Sequence, residues 1–364
     1  MKILVISDYR ETVSVRPEAE LYIRLAQQKG VEIDIMTFGE AEYVKTFRQS
    51  GIKVIDFYPT KKRDKHSIQR IKDTLIEGKH DILHLYTGIA ITNGIPAAKR
   101  LPVKIVLYRG YTGNIHWYDP SAYFKYLSRH VDSVWCIADA TRDLIKRNLI
   151  FFQKNKPVSI TKGHDPKWYQ GVKKADLSDL NLPSNAFIAA HVSNVRPMKG
   201  IPYLIKATYY LPTDLPIYFL FAGKGMDTEG IPELIKNSPN KDKIILLGYR
   251  KDAKNIVKAS HTFLLASIKG EAICKAVIEA MSLGICPIIT DIPGNRKLVV
   301  HQESGLVVPA KNPKALADAI LYAYHQPEAV TLMAKNAQKR MQQEFHIDDT
   351  VEQIFEWYGS LRLT

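Results

Sequence analysis

Short runs of β-branched and aromatic residues alternate along the chain with longer stretches whose apolar positions recur at three- and four-residue steps. In the first half the runs Ile3–Ser7, Glu32–Met36, Val54–Phe57, Ile82–Leu85, Lys104–Tyr108 and Val134–Ile137 read as strands. Leu21, Ile23, Leu25 and Ala26 illustrate the helical spacing between the first two. A second series begins near residue 186, with Phe187–His191, Ile217–Phe221, Ile244–Leu247, Thr262–Ala266 and Pro287–Thr290. Strands alternating with helices predict parallel sheets covered on both faces. The fold class expected is α/β, with two Rossmann-like, doubly wound domains facing each other across a cleft.

A length of 364 residues, about twice a usual single domain, agrees with that count. Between the two series the sequence turns polar and punctuated, as in Gly163-His164-Asp165-Pro166, Lys173-Lys174 and Asn181-Leu182-Pro183-Ser184-Asn185. The expected division is a first domain over 1–168, a linker over 169–185, a second domain over 186–342, and a helix over 343–364 that packs back on the first domain. Ligands are expected at the carboxyl ends of the strands.

Composition narrows the class of protein. An apolar fraction of 46% supports two packed cores, and no run approaches the roughly 20 apolar residues of a membrane-spanning helix. The opening Met1-Lys2-Ile3-Leu4-Val5-Ile6-Ser7-Asp8 reads as a buried strand, not a signal peptide. Three widely spaced cysteines (Cys136, Cys274 and Cys286) exclude a disulfide scaffold and a cysteine-rich zinc site, and a cytoplasmic location is expected. The net charge of +14 points to nucleic acid, an anionic membrane surface or a phosphorylated ligand. Residues 1–180 carry 30 basic and 20 acidic side chains, so most of the excess falls in the first half.

The most informative stretch is 267–290. An apolar strand ends in the loop Ser267-Ile268-Lys269-Gly270-Glu271-Ala272-Ile273, and a helix begins near Cys274. Unpaired N–H groups and the positive end of the helix dipole suit an anion such as a diphosphate there. Glu271 lies before the helix and Glu279 about one and a half turns inside it, placed to reach opposite ends of an extended ligand. A pair of glutamates decorating a surface helix is the plainer alternative.

Glu271, Glu279, Ala280, Met281, Gly284 and Pro287 stand in the register of the paired-glutamate motif of retaining glycosyltransferases of sequence family 4, and the stretch resembles that motif. Further segments resemble the family in the same order. Val192-Ser193-Asn194-Val195-Arg196-Pro197-Met198-Lys199-Gly200 is similar to the loop whose Arg and Lys grip the donor diphosphate, with Asn194 at the usual Arg position and Arg196 left to take its place. Leu220–Gly225 looks like the strand ending in a Gly-x-Gly turn, and Ile244–Gly248 with Tyr249 and Arg250 resembles the segment beside the nucleotide base. Thr290–Asn295 and Gly305–Pro309 match later landmarks. The resemblance covers about residues 1–330 and is strongest after 186.

The family implies the GT-B fold and transfer of a sugar from a nucleotide-sugar donor. Glu271, Arg196 and Lys199 are the implied catalytic residues, with Glu279, Gly223, Tyr249, Arg250, Ile273, Cys274 and Lys275 binding the donor. Glu271 would hold donor-sugar hydroxyls and Glu279 the ribose, while Arg196, Lys199 and the helix start stabilise the leaving diphosphate. No HExxH motif or close Cys/His cluster suggests a metal, and no motif suggests a bound pyridoxal phosphate, so neither metal nor cofactor is expected.

The first half departs from the pattern. Arg16-Pro17-Glu18-Ala19-Glu20 stands where many members have a Gly-Gly pair, and Arg109 stands where many have a His. A guanidinium does not act as a base. Arg109 contacts a phosphate or the acceptor, or else serves as a structural ion-pair partner, and both readings stay open. His84 at the end of another strand either lines the cleft or is structural; Arg16, His84 and Arg109 are the acceptor-side candidates. The aromatic segment Tyr111–Asp119 suits a sugar-binding or a packed surface loop, and the Lys61-Lys62-Arg63 run with Lys65 suits solvent or anionic lipid heads.

The expected partners are a nucleotide-sugar donor and a glycan or lipid-linked acceptor in cell-surface polysaccharide or lipopolysaccharide synthesis, with the protein peripheral at an anionic inner membrane face. Nucleic acid is not expected, because the basic residues are spread and no nucleic-acid module is recognised. A nucleotide-sugar-binding protein without transfer activity is the alternative.

Overall fold

A computed structural model describes residues 1–113, 115–149, 153, 156–228 and 230–362. The chain divides into two compact units, Met1–His164 with Phe345–Thr364, and Asp165–Glu344.

The first unit contains β1 (Lys2–Ile6), β2 (Glu32–Thr37), β3 (Lys53–Asp56), β4 (Ile82–Leu85), β5 (Lys104–Arg109), β6 (Ser133–Cys136) and β7 (Pro157–Ser159). They form a seven-stranded sheet in the order β3-β2-β1-β4-β5-β6-β7, and every pairing is parallel. The helices are α1 (Thr12–Leu25), α2 (Val44–Gln49), α3 (Lys65–Gly78), α4 (Gly88–Ala98) and α5 (Asp139–Asn148). Leu4, Ile6, Leu83, Leu85, Ile105 and Leu107 turn one face of the sheet into a core against Ile71, Leu75, Ile91 and Ile95 of α3 and α4. Burial of strands on both faces is why they read as continuous apolar runs.

The second unit contains β8 (Phe187–Val192), β9 (Ile217–Ala222), β10 (Ile244–Gly248), β11 (Thr262–Leu265), β12 (Cys286–Asp291) and β13 (Leu306–Pro309). The order is β10-β9-β8-β11-β12-β13, again parallel. Its helices are α6 (Ile201–Ala207), α7 (Ile231–Lys236), α8 (Ala253–Ala259), α9 (Lys275–Ser282), α10 (Pro313–His325) and α11 (Pro327–Gln343). Strand order reverses direction between β1 and β4 in one sheet and between β8 and β11 in the other, so loops diverge at those carboxyl ends and leave a crevice.

Two expectations are corrected. The stretch 169–185 is not a separate linker but part of the second unit, because Leu177, Leu180 and Leu182 pack on Ile188, Leu220 and Ile256. The charge is also not concentrated in one unit. The last helix, α12 (Ile347–Arg362), belongs to the first unit and brings four acidic residues against one basic. The first unit then holds 28 basic and 21 acidic side chains and the second 23 and 16, a net +7 each.

α12 is held by polar as well as apolar contacts. Thr350 Oγ1 donates to Thr161 O at 2.8 Å and accepts from Gly163 N at 2.8 Å, and Trp357 Nε1 donates to Ser133 Oγ at 3.1 Å. The Tyr358 hydroxyl meets His84 Nδ1 at 2.5 Å and Tyr22 OH at 3.2 Å. No helix among the described residues is long and apolar enough to cross a membrane.

His84 is fully buried among Tyr86, Trp135, Trp357 and Tyr358. Burial, reinforced by the nearby Lys162 charge, lowers its pKa from 6.5 to about 3, so the imidazole is neutral in the fold. The unfolded chain takes up this proton as pH falls below 6.5 and the folded chain does not until about 3. His84 therefore lowers stability by about 1.4 kcal/mol for each pH unit descended in that window, and not above it. Urea unfolding between pH 7 and 4 is expected to show a shallower pH slope in His84→Gln, by about one proton. An unchanged slope contradicts a neutral buried His84.

Candidate active site

The second unit's crevice is built by two loops that follow adjacent strands. One runs from Ser193 through a 3-10 turn at Pro197–Lys199 into α6, and the other from Ser267 to the start of α9. Ile268 N–H donates to Met198 O at 2.8 Å, stitching them together. Their close approach depends on Gly200, which has φ +66° and where a Cβ would stand 2.0 Å from Ala266 O.

Lys199 Nζ lies 2.5 Å from Glu271 Oε1, and Ser267 Oγ donates to the same oxygen at 2.9 Å. Both charged side chains are mostly buried, at 16% and 9% exposure. Burial works against the Lys199 ammonium, but the Cys274 sulfur and the Glu271 carboxylate outweigh it and raise its pKa. Lys199 is therefore a permanent cation at neutral pH. Cys274, 3.9 Å from Lys199 Nζ, has its thiol pushed up to about 11, chiefly by burial, and is no nucleophile.

α9 begins with Cys274 at its N-cap and Lys275 at its first position, with no acidic side chain in the first turn. One turn on, Glu279 Oε1 is 3.6 Å from Lys275 Nζ. Ile273 is half-buried in the loop before the helix. The crevice therefore carries a buried cation, a second lysine, the positive end of a helix and two carboxylates, a combination suited to an anion flanked by hydroxyl groups.

Neighbouring loops complete it. Gly223, with φ +149°, follows β9 at a point where a Cβ would stand 1.8 Å from Ser193 O, and its N–H donates to Gly248 O at 2.7 Å. Asn194 Oδ1 accepts from Lys224 N at 3.0 Å. The residue at the usual Arg position is thus a loop staple, and Arg196 is the exposed cation of this loop. Tyr249 is exposed, with Lys224 Nζ 4.9 Å from its ring centre. Arg250 is held by Asp252 through two hydrogen bonds of 2.8 Å.

Sequence reading missed His191, which fastens this crevice from beneath. It is fully buried, and burial lowers its pKa to about 4. Nδ1 stands 2.8 Å from Leu264 O, a pure acceptor, so the proton of the neutral ring is on Nδ1; Nε2 then accepts from Ser193 Oγ at 2.8 Å. One imidazole joins β8 to β11 and orients the first hydroxyl of the loop. The available signal was a polar residue inside the apolar run Phe187–Val192.

The acceptor-side candidates of the first unit fare differently. His84 belongs to the aromatic core and lines no open site. Arg109, at the end of β5, is 4% exposed; its Nε donates to Tyr111 O at 3.0 Å, its Nη2 donates to Gly113 O, and its guanidinium lies 3.5 Å from the Tyr111 ring centre. These contacts make it the organiser of the following loop. Arg16 is half-buried on α1. In the 111–119 segment Trp117 and Tyr118 are exposed and Tyr118 stacks on His116, while Asn114 lies outside the described residues.

The first unit's crevice, where glycines were missing, is filled instead. Glu18 Oε2 lies 3.6 Å from Lys162 Nζ, both side chains are mostly buried, and Lys162 stands 4.7 Å from the Tyr108 ring centre. Burial raises the Glu18 pKa against the opposing pull of Lys162.

Two parallel α/β units of Rossmann type, with a cation-and-carboxylate crevice at the carboxyl ends of β8 and β11, define the GT-B class of glycosyltransferase fold. Residues 172–340, nearly all of the second unit, match the family model of glycosyl transferases group 1. The chain is 24% identical over 315 residues to a UDP-Gal:alpha-D-GlcNAc-diphosphoundecaprenol alpha-1,3-galactosyltransferase of Escherichia coli, covering 81% of this chain and 79% of that one. It is 25% identical over 184 residues to N-acetyl-alpha-D-glucosaminyl L-malate synthase of Bacillus anthracis, half of this chain and 48% of that one. Among solved structures, a glycosyltransferase from Rickettsia africae ESF-5 superposes with TM-score 0.81 at 20% identity over 99% of this chain and 98% of that one. Anabaena HepE in complex with UDP gives TM-score 0.77 at 19% identity over 99% and 100%. Together these support a glycosyltransferase of GT-B architecture.

The close approach at Gly200 makes a measurable claim. Gly200→Ala is expected to destabilise the chain by at least about 2 kcal/mol, from left-handed strain plus the clash with Ala266 O. Gly171→Ala, with φ +80° and nothing within 4 Å of the added methyl, carries the strain alone and is expected to cost about 1 kcal/mol. Equal losses in urea unfolding would show that the approach of the loops does not select glycine at residue 200.

Proposed function

We propose that this chain is a retaining, metal-independent glycosyltransferase that moves a hexose or related sugar from a nucleoside-diphosphate donor to a glycan or lipid-linked acceptor. The pathway proposed is cell-surface polysaccharide or lipopolysaccharide synthesis, with the protein peripheral at the inner face of the membrane. The observation that carries the reading is the Lys199–Glu271 pair at the start of α9, in the register of the paired-glutamate motif. Uracil is the proposed base, supported by the UDP-Gal donor in the name of the Escherichia coli relative and by the UDP and UDP-glucose complexes of HepE.

In this reading the bond between the anomeric carbon and the diphosphate oxygen breaks while the acceptor oxygen bonds to the same face of that carbon. The acceptor's proton passes to the departing diphosphate. Lys199, Arg196 and the N–H groups at the start of α9 meet the developing negative charge. Glu271, held by Lys199 and Ser267, orients the donor-sugar hydroxyls, and Glu279 holds the ribose. Fixing Lys199 before the donor arrives reduces the reorganisation needed as charge develops.

The test begins with thermal shifts in UDP-, GDP- and ADP-glucose, where the true donor class raises the melting temperature with concentration. Lys199→Met and Glu271→Gln are then expected to lower donor turnover at least about a hundredfold while circular dichroism stays that of a folded chain. Near-normal turnover in both variants overturns the assignment. Donor binding by the natural chain without release of nucleoside diphosphate, under any acceptor, identifies a binding protein instead.

A further inference from the structure

One apolar cavity of the first unit lies away from the strand ends. It lies in the helical layer, between α3, α4, the 3-10 turn Pro120–Phe124 and the end of α5, and has a volume of about 650 Å³. That is the size of a small-molecule site. Ile68, Ile95, Pro96, Leu127 and Leu149 line its interior, and Tyr123 and Phe124 stand at its mouth with much of their rings exposed. Arg63, Lys99, Arg129 and His130 are its charged or titratable lining residues, and no carboxylate is among them.

The rim is built, not incidental. Asn93 of α4 is fully buried; its Oδ1 accepts from Asp64 N at 2.8 Å and its Nδ2 donates to Lys61 O at 2.8 Å. This one amide pins the Lys61-Lys62-Arg63 loop over α4. Asp64, the only acid in the run, is turned away to cap α3 at Ser67 N, 2.8 Å. Arg63 adopts φ +54°, and its guanidinium lies 4.8 Å from the Phe124 ring centre. On the other side, Asn148, a lining residue, accepts from Trp117 N at 2.9 Å, and Tyr123 OH donates to Trp117 O at 2.8 Å. The exposed Trp117 and Tyr118 are thereby held beside the mouth.

An apolar interior, a rim of cations and a fringe of exposed indole and phenol rings match one chemistry: an anionic amphiphile whose chain is buried while its phosphate meets Arg and Lys. A free nucleotide or sugar would leave the apolar wall unused, and net charge does not choose this surface because both units carry +7. We propose that this cavity takes an acyl chain of an anionic membrane phospholipid, with Arg63, Lys99 and Arg129 holding its phosphate, so that the α3–α4 face of the first unit is the surface docked on the membrane. This deepens the peripheral membrane association proposed above, rests on that reading, and is independent of the transfer step.

The test uses the full chain and liposomes of phosphatidylcholine with or without about 30% phosphatidylglycerol, at about 50 mM and about 0.5 M salt. Co-sedimentation is expected only with phosphatidylglycerol and low salt. Lys99→Glu combined with Arg129→Glu, both exposed positions, is expected to weaken it at least about tenfold. In Phe124→Trp, phosphatidylglycerol brominated on its chains is expected to quench the added indole beyond the quenching seen in the natural chain. Binding by the natural chain that survives the charge reversal, or quenching no greater than in the natural chain, overturns this cavity as the docking site while leaving membrane association standing. Absence of phosphatidylglycerol-dependent binding by the natural chain overturns both, and donor turnover with a soluble acceptor is untouched by either result.

Discussion

The second unit depends on an ion pair that joins two loops which the sheet topology would otherwise let diverge. β8 and β11 are adjacent and parallel, but the connections from their carboxyl ends leave in opposite directions. Lys199 reaches from one and Glu271 from the other, and Ser267 supplies a third hydrogen-bonding group. Removing two charges from water is costly, so such a pair contributes more to geometry than to net stability. Here its effect is positional: an ammonium is held at the start of α9 in the place where a helix terminus already favours an anion. His191 below and Gly200 beside it serve the same arrangement, one by bridging the strands and the other by letting backbone meet backbone.

The first unit uses the same fold differently. Its strand-order reversal between β1 and β4 is filled by Glu18, Lys162 and an aromatic cluster reaching to Tyr358 of the last helix. Residues that resemble ligand-binding positions there, His84 and Arg109, are consumed in organising the unit. The buried His84 is neutral because burial deprives a charged imidazole of water, and the nearby Lys162 charge adds to that penalty. The Arg109 guanidinium is engaged by carbonyl oxygens and aromatic faces. The surface with chemical character left over is the helical face around Phe124, where cations gather around an apolar interior.

Much of this was legible in the sequence, for reasons that differ from residue to residue. Buried parallel strands must be apolar along their whole length, so Ile3–Ser7 or Thr262–Ala266 stand out from the amphipathic text around them. β7 was not, since it is a three-residue edge strand that starts at Pro157 and needs no apolar run. The stretch 169–185 misled because its polar punctuation hid three leucines that pack on the second unit. Glu271 and Lys199 were legible one at a time, each in a loop that follows a strand and each matching a family motif, but their partnership across 72 residues was not. Asn194 and Arg109 were not, because an amide or guanidinium at a loop start looks the same whether it meets a ligand or a carbonyl.

By itself the sequence determined the two α/β series and the strand ends where chemistry gathers, because periodicity and local spacing record what is buried and what must be close along the chain, while the resemblance to the paired-glutamate family singled out Glu271, Glu279 and Lys199. The tertiary structure alone decided which side chains remain open to a ligand. It enclosed His84, engaged Arg109, revealed His191 and Glu18–Lys162, and divided the net charge evenly by returning an acidic helix to the first unit. Burial, protonation and charge balance depend on contacts between residues tens to hundreds of positions apart, and no local pattern encodes them.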